Sequence, residues 1–357
     1  MTRAVEAPVV DVHAHVLIRE IEDEVAGHPG LHAQQELELV RQGTESSAVS
    51  GRMVADRMSR LTDIDARRSD MDAAGVDVQL LSPSPSQYHY WADSGPAWTV
   101  ALAANRGIAA TVAEDTARFL GLGMVPLQHP AMTVAALDDA LDRGLAGVEI
   151  SSHAPQPDGS TVELSDPRLE PFWARAAQRE AVILLHPFGC TLGARLDRFH
   201  LANTVGQPAE NAVALSHLIF GGVLDRHPGL HVLAAHGGGY LPTYLGRSDH
   251  AWQVRPDARG CAQRPSSYLR RLWFDSLVHT PAALRALVAE VGADRILLGS
   301  DHPFDMGVPD PVDRLAAADL SVPDQYAIRT GNAEGLGLVP AGPAGTAHAA
   351  PRGEHSQ

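Results

Sequence analysis

Two histidines stand two residues apart near the start of the chain, at the end of the stretch PVVDVHAHV (8–16). Successive side chains of a strand point to opposite faces, so His13 and His15 point the same way from the end of a short apolar strand. Two imidazoles on one face at this spacing can hold one divalent metal ion. An isolated His-x-His is about as often two unrelated polar residues after a strand as it is part of a metal site. The rest of the chain must therefore decide between these interpretations.

Three later apolar runs also end in side chains of the metal-ligand type. His186, His236 and Asp301 each follow a short apolar run. Taken alone, a histidine after a strand is more often a satisfied rim residue, and an aspartate before a turn is often a helix cap. Four separate strand ends that all carry such groups are much harder to explain as structural coincidence, so we interpret them as parts of one site.

The elements that must position these side chains alternate between apolar strands and helical patterns. After the first strand, seven more candidates follow, mostly separated by helix-biased segments. They cover residues 76–83, 119–125, 147–151, 181–187, 230–236, 272–276 and 295–301. Such alternation predicts a parallel sheet covered by helices, and eight units predict a closed α/β TIM barrel, (β/α)8. A doubly wound open sheet is the alternative, weakened because no Gly-x-Gly-x-x-Gly turn follows the first strand.

In such a barrel the carboxyl ends of the strands open on one face, and that face carries the active site. We therefore expect residues far apart in sequence to meet there. His13, His15, His186 and Asp301 would form a mixed nitrogen and oxygen site that suits zinc and is tolerable for manganese or iron. A bound metal lowers the pKa of a coordinated water toward neutrality. His236 then stands beside the metal as a general base or acid.

Other residues near strand ends carry weaker expectations. The three glycines after His236 leave room for substrate because they have no side chain. His153 and His302 are candidates for contacts with the ligands. Asp301 is expected to serve both as a ligand and as a catalytic residue.

The domain plan is one barrel over residues 1–339 with a small insertion after strand 1, at about 18–62. That segment is polar and helix-biased, with clusters of acidic residues and glutamines. Residues 340–357 are rich in Ala, Gly, Pro and His and lack apolar periodicity, which predicts a disordered tail. His348 and His355 in this tail are not expected to bind the metal.

Composition restricts the possible partners. The formal net charge of −15 argues against nucleic acid and against anionic membranes. No apolar run is long enough for a transmembrane helix, and no signal peptide is evident. Cys190 and Cys261 are the only cysteines, which does not make a disulfide scaffold. These features favour a cytoplasmic protein with a small-molecule substrate.

Short segments in a fixed order resemble a known family. They are DVHAH (11–15), YWA (90–92), GLG (121–123), LHP (185–187), HGGG (236–239), GR (246–247), DSLVH (275–279), GSDHPF (299–304) and GNA (331–333). Over about residues 9–338 this series resembles the metal-dependent amidohydrolase superfamily. Within it, the chain is most similar to the 2-amino-3-carboxymuconate 6-semialdehyde decarboxylase branch.

The resemblance implies a distorted (β/α)8 barrel, one zinc ion and non-oxidative decarboxylation without an organic cofactor. It assigns the metal to His13, His15, His186 and Asp301, and the acid/base role to His236. Arg247 matches an arginine that binds a substrate carboxylate from a neighbouring subunit, so the resemblance implies a homodimer. Trp91, in a matching segment, is assigned to the substrate site.

The sequence differs from that of the branch at two places expected in the substrate pocket. A second substrate-binding arginine before strand 2 has no certain counterpart, although Arg52, Arg57 and Arg60 are nearby. A tryptophan of the branch is missing around residues 198–200. The expected substrate is a carboxylated muconate semialdehyde or a related unsaturated or aromatic carboxylate. A γ-resorcylate-like hydroxybenzoate decarboxylase, a hydrolase or hydratase on the same metal, and a non-enzymatic metal-binding protein stay open as alternatives.

Overall fold

Eight parallel strands form a nearly closed barrel in the computed structural model, which describes residues 7–156 and 160–340. The strands are β1 (Val10–Val16), β2 (Val78–Pro83), β3 (Phe119–Met124), β4 (Gly147–Ile150), β5 (Val182–Leu185), β6 (His231–Ala234), β7 (Trp273–Asp275) and β8 (Ile296–Leu297). Each strand pairs with the next one along the chain in the sheet. The predicted barrel is therefore confirmed, and the open-sheet alternative is wrong.

Backbone hydrogen bonds between β1 and the segment after β8 bring the ends of the sheet together. The Val12 N–H donates to the Leu298 carbonyl at 2.9 Å, and the Asp301 N–H donates to the His13 carbonyl at 2.8 Å. The pairing of β1 with β2 shifts register between Asp11 and Ala14. Closure therefore joins the strand of the two N-terminal histidines directly to Asp301.

Helices surround the barrel. Those of the described residues are α1 (Arg19–Val25), α2 (Pro29–Gln42), α3 (Thr44–Thr62), α4 (Ile64–Ala74), α5 (Ser94–Ala113), α6 (Pro130–Asp142), α7 (Glu170–Gln178), α8 (Gln207–Phe220), α9 (Val223–Arg226), α10 (Leu241–Tyr244), α11 (Gly246–Val254), α12 (Pro281–Val291), α13 (Pro311–Ala317), α14 (Val322–Tyr326) and α15 (Asn332–Gly335). None of these helices combines the length and apolar character that crossing a membrane requires.

Capping residues explain where several helices begin and end. The Asp63 carboxylate accepts from the Asp65 N–H at 2.8 Å and starts α4, and Gly75 ends that helix with a left-handed φ of 70°. The Thr280 hydroxyl accepts from the Ala283 N–H at 3.1 Å and starts α12. Short local signals thus fix the helices that flank β2 and β7.

The segment predicted as an insertion folds into α1, α2 and α3, between β1 and β2. Helix α2 has no buried residue, and α3 buries only Ser46 and Leu61. A two-stranded antiparallel hairpin, His153–Pro155 with Thr161–Glu163, follows β4 and was not predicted. Of the predicted tail, residues 341–357 lie outside the described residues.

Candidate metal centre

His13 and His15 are fully buried and aim the same ring nitrogen at each other. His13 Nδ1 lies 2.6 Å from Asp275 Oδ2, and His15 Nδ1 lies 3.2 Å from the Pro83 carbonyl oxygen. These oxygens only accept hydrogen bonds, so each Nδ1 carries a hydrogen and each Nε2 is the ring atom left to meet a cation or a proton. The two Nε2 atoms are only 3.1 Å apart. Such an arrangement calls for a positive charge between them.

Two further groups add buried acceptor atoms at the same place. Asp301 Oδ1 lies 3.2 Å from His15 Nε2 and 3.5 Å from His13 Nε2, yet it accepts no hydrogen bond from the residues that the structure describes. His186 is buried, and neither of its ring nitrogens has a partner in that part of the chain. Buried polar atoms in proteins nearly always have one. The unpaired nitrogen and oxygen atoms around this point therefore fit a divalent metal ion.

The charge states of the groups agree with that interpretation. Burial, together with the neighbouring His236, lowers the pKa of His186 well below its usual value, so its ring is neutral. Although burial alone raises it, the nearby His13 and His15 hold the pKa of Asp301 well below its usual range. Burial also disfavours a charge on His13, but Asp301 and Asp275 outweigh it and raise the pKa of His13 to about 9. The centre thus combines an ionised carboxylate with a strong preference for a cation.

His236 is as close to this centre as the predicted ligands are. One ligand atom from each of His13, His186, His236 and Asp301 lies within 4.8 Å of the others. His15 falls outside that group of four, although its Nε2 touches both His13 and Asp301. All five residues that the sequence singled out therefore meet, and the division into four ligands and one base stays a prediction.

The backbone holds two of the five residues in an unusual conformation. His236 and Asp301 have left-handed φ angles of 55° and 59°. After His236, a Cβ atom on Gly239 would lie 2.2 Å from the Pro208 carbonyl oxygen, so only glycine fits there. Non-glycine residues with such angles cluster at functional sites, where the surrounding structure holds them.

Sequence reasoning missed the role of Asp275. Its Oδ2 accepts from His13 Nδ1 and, at 2.9 Å, from the backbone N–H of His236, and its Oδ1 accepts from the Gly237 N–H at 2.7 Å. Burial alone raises the pKa of this carboxyl, but the His13 hydrogen bond and charge lower it, so it is ionised. The available signal was its place at the end of β7, beside the other strand ends.

Glu149 on β4 is a second residue that sequence reasoning missed. It is fully buried, accepts a hydrogen bond from the Tyr88 hydroxyl and brings Oε2 within 3.7 Å of His15 Nδ1. The two histidines suggested as supporting groups lie elsewhere. His302 bonds Arg67 and Asp70, each at 3.0 Å. His153 pairs with Glu210 at 3.3 Å.

Two cavities meet at the centre, and both are lined by His236 and Asp301. The first lobe, of about 290 Å³, extends toward Arg41, Phe188 and His200. The second lobe, of about 400 Å³, extends toward Leu277, His279 and Leu287. The centre therefore lies where a substrate could extend in two directions.

One arginine of the insertion reaches the first lobe. Arg41 of α2 is 16% exposed and pairs with Glu38 through Nη1 at 2.8 Å. A Cβ on Gly189, in the loop after His186, would lie 2.6 Å from that Nη1, so the loop leaves room for the guanidinium. The arginines considered from sequence, Arg52, Arg57 and Arg60, line a different cavity of about 690 Å³ that includes none of the five centre residues.

The other predicted substrate residues lie away from the centre of their own chain. Arg247 is exposed on α11 and lines neither lobe. Trp91 stacks near His28, with ring centroids 4.7 Å apart, and lines a small cavity beside the first lobe. Its buried Nε1 has no hydrogen-bond partner among the described residues.

Comparison with known proteins gives a consistent set of relatives. Residues 10–336 match the family described as Amidohydrolase. The chain is 34% identical over 297 residues to the 2-amino-3-carboxymuconate-6-semialdehyde decarboxylase of Dictyostelium discoideum, covering 82% of this chain and 81% of that protein. It is 29% identical over 289 residues to the gamma-resorcylate decarboxylase of Rhizobium sp. strain MTP-10005, covering 78% and 88%.

Solved structures share the fold along nearly the whole chain. A 2,6-dihydroxybenzoate decarboxylase complexed with 2,6-dihydroxybenzoate matches with a TM-score of 0.76 at 26% identity, covering 94% of this chain and 100% of that one. A 5-carboxyvanillate decarboxylase of Novosphingobium aromaticivorans matches with a TM-score of 0.80 at 22% identity, covering 93% and 96%. The second match concerns the fold alone.

Proposed function

This chain belongs to the amidohydrolase family, and on that premise we propose that it is a zinc-dependent, non-oxidative decarboxylase. The proposed substrate is a carboxylated muconate semialdehyde or a related unsaturated or aromatic carboxylate. The relatives named above are decarboxylases of such compounds. In the reaction a carbon–carbon bond breaks, carbon dioxide leaves, and the electron pair that remains on the substrate carbon takes up a proton.

One observation carries the proposal. Buried ring nitrogens of His13, His15 and His186 and the buried Asp301 carboxylate converge beside His236, at the junction of two cavities. Three imidazoles and one carboxylate are a donor set that suits zinc. A divalent cation bound by these residues would supply Lewis-acid chemistry, polarising an oxygen ligand.

Three further roles in the reaction would be filled by individual residues of the chain. Asp275 orients His13 and fixes its tautomer, as carboxylates behind metal-binding histidines do. His236, which lines both lobes, would hold and transfer the proton that replaces the lost carboxylate. Asp301 would serve as a ligand and would keep its negative charge beside His236, with Oδ2 3.7 Å from Nε2.

Two arginines are proposed to bind a substrate carboxylate. Arg41 already lines the first lobe, and its planar fork of donors suits a carboxylate. Arg247, exposed on its own chain, would reach the site of a neighbouring chain in a homodimer. Trp91 would support the substrate end of the first lobe. The homodimer and the cytoplasmic location are part of this proposal.

The test is a screen of zinc-loaded protein against carboxylated muconate semialdehydes and hydroxybenzoates, followed by ultraviolet absorbance and by carbon dioxide release. The hydroxybenzoate reactions are run in ¹⁸O-labelled water, because a semialdehyde exchanges its carbonyl oxygen with water without an enzyme. Carbon dioxide release with no label in the organic product supports the decarboxylase. Labelled organic product without carbon dioxide would instead establish a hydrolase or hydratase on the same centre. The control is a Glu290→Gln variant, changed at an exposed position of α12, which should keep the activity of the unmodified protein.

A further inference from the structure

The second lobe differs in chemistry from the first. Its walls are largely apolar and come from the start of α8, the loops after β6 and β7, α10 and α12, with members such as Pro208, Pro242, Leu277, Val278 and Leu287. Among the described residues, no arginine or glutamate lines it, whereas Arg41 and Glu38 both line the first lobe. The second lobe therefore suits an uncharged, apolar group.

A few polar groups stand within this apolar lobe. His279 lines it and has a left-handed φ of 61°, a conformation that non-glycine residues adopt mainly where the surrounding structure imposes it. Burial, with the nearby His236 and Arg314, lowers the pKa of His279, so its ring is neutral. At the junction of the two lobes, the buried Oε1 of Gln207 has no hydrogen-bond partner within residues 7–156 and 160–340.

The two lobes are continuous through the metal centre. Both are lined by His236, Asp301, Asn203, Gln207 and Met306. A carboxylate held at the centre can therefore extend into either lobe. At about 290 and 400 Å³ the lobes together are in the range of pockets that enclose drug-sized ligands. A single ring or a six-carbon chain would fill only part of that space.

We propose that the second lobe is a specificity pocket that binds an apolar substituent of the substrate, such as an aryl or branched alkyl group. Within the range of substrates proposed above, this favours an unsaturated or aromatic carboxylate with a polar end in the first lobe and an apolar arm in the second over a muconate semialdehyde, which has no such arm. This inference rests on the proposed function, because the bound carboxylate is a substrate only if the protein is a decarboxylase. The pocket itself is tested by binding, without turnover.

The test is calorimetric titration of zinc-loaded protein with benzoate, 3-phenylbenzoate and 4-phenylbenzoate. At least one phenylbenzoate should bind tighter than benzoate by about tenfold or more, because its second ring leaves water for an apolar wall. Ala286 lines the second lobe from an exposed position of α12, and Ala286→Phe narrows the lobe there, so it should abolish this gain and leave benzoate binding unchanged. Ala289→Phe, at an exposed position of the same helix outside the lobe, should keep the gain.

Two results would overturn the proposal. In one, neither phenylbenzoate binds tighter than benzoate, or none of the three binds. In the other, the gain survives in Ala286→Phe; its loss in Met53→Trp, which narrows the first lobe, would then place the second ring in that lobe. If the pocket binds as expected while the screen finds no carbon dioxide release, the pocket stands and the decarboxylase assignment fails.

Discussion

Asp275 Oδ2 lies 2.6 Å from His13 Nδ1, with both side chains fully buried. The same oxygen accepts from the His236 backbone N–H at 2.9 Å. One carboxylate thus orients a proposed metal ligand and positions the loop of the proposed acid/base residue.

Replacing Asp275 by Asn should weaken metal binding by about 10–100-fold, the usual effect of losing such a partner. An amide cannot fix the His13 tautomer as a carboxylate does, because it also offers donors. The measurement is metal affinity by competition with a chelator. His186→Ala, which removes a ligand, should lose nearly all metal, while Asp294→Asn at an exposed ion pair should lose none. Wild-type affinity in Asp275→Asn would contradict this role.

Arg41→Met should raise KM for a substrate with a second carboxylate by about 10–100-fold, since charged hydrogen bonds are worth about 1.5–3 kcal/mol. Metal content should not change, because Arg41 touches none of the proposed ligands. Arg52→Met is the matched control, as Arg52 lines the separate large cavity. Equal KM values for the two variants would rule Arg41 out as the carboxylate anchor.

If Arg247 serves the site of a neighbouring chain, two inactive variants should complement each other. Arg247→Ala and His236→Ala would each be nearly inactive alone. In a mixed dimer, one site combines an intact His236 with the partner's intact arginine. Mixing equal amounts after dissociation and reassociation should therefore restore activity, measured as carbon dioxide release. No recovery in a verified mixed dimer would place Arg247 outside the neighbouring site.

The buried Glu210 should make stability depend on pH. Burial alone raises its pKa, but hydrogen bonds from His153 and Thr191 lower the pKa of Glu210 to about 2, against 4.5 for a free side chain. Its stabilising contribution is therefore complete well above pH 4.5 and declines as pH falls toward 2.

Glu210→Gln should lower the free energy of unfolding at pH 7 by about 2–3 kcal/mol, and the loss should shrink by about 1 kcal/mol at pH 3.5. Urea unfolding of both proteins at the two pH values measures this difference. Exposed Glu290→Gln is the control and should show little effect. A destabilisation that is the same at both pH values would contradict the linkage.

Much of the metal centre could be predicted because a parallel barrel places every strand's carboxyl end on one face. His13, His186 and Asp301 needed only that rule, together with the apolar runs before them. Arg41 could not be found this way, since it lies on an exposed helix whose orientation depends on tertiary packing. The contact of Asp275 with His13 joins residues 262 positions apart, so it depends on barrel closure and side-chain direction.

The structure also brings His236 closer to the proposed ligands than the sequence implied. Because its ring nitrogen lies within 4.8 Å of ligand atoms of His13, His186 and Asp301, geometry alone allows it to be a ligand as well as a base. His236→Ala, which removes the ring, distinguishes a ligand from a base.

The most direct test of the proposed acid/base role is His236→Ala, with metal content, melting temperature and turnover measured on one preparation. General acid/base catalysis is typically worth about 10²–10⁴-fold in rate. We predict that the variant keeps its zinc and its melting temperature and loses carbon dioxide release by at least about 10²-fold. Loss of zinc together with rate would make His236 a ligand instead. Near-normal turnover per folded, zinc-loaded chain would contradict the proposed role of His236 outright.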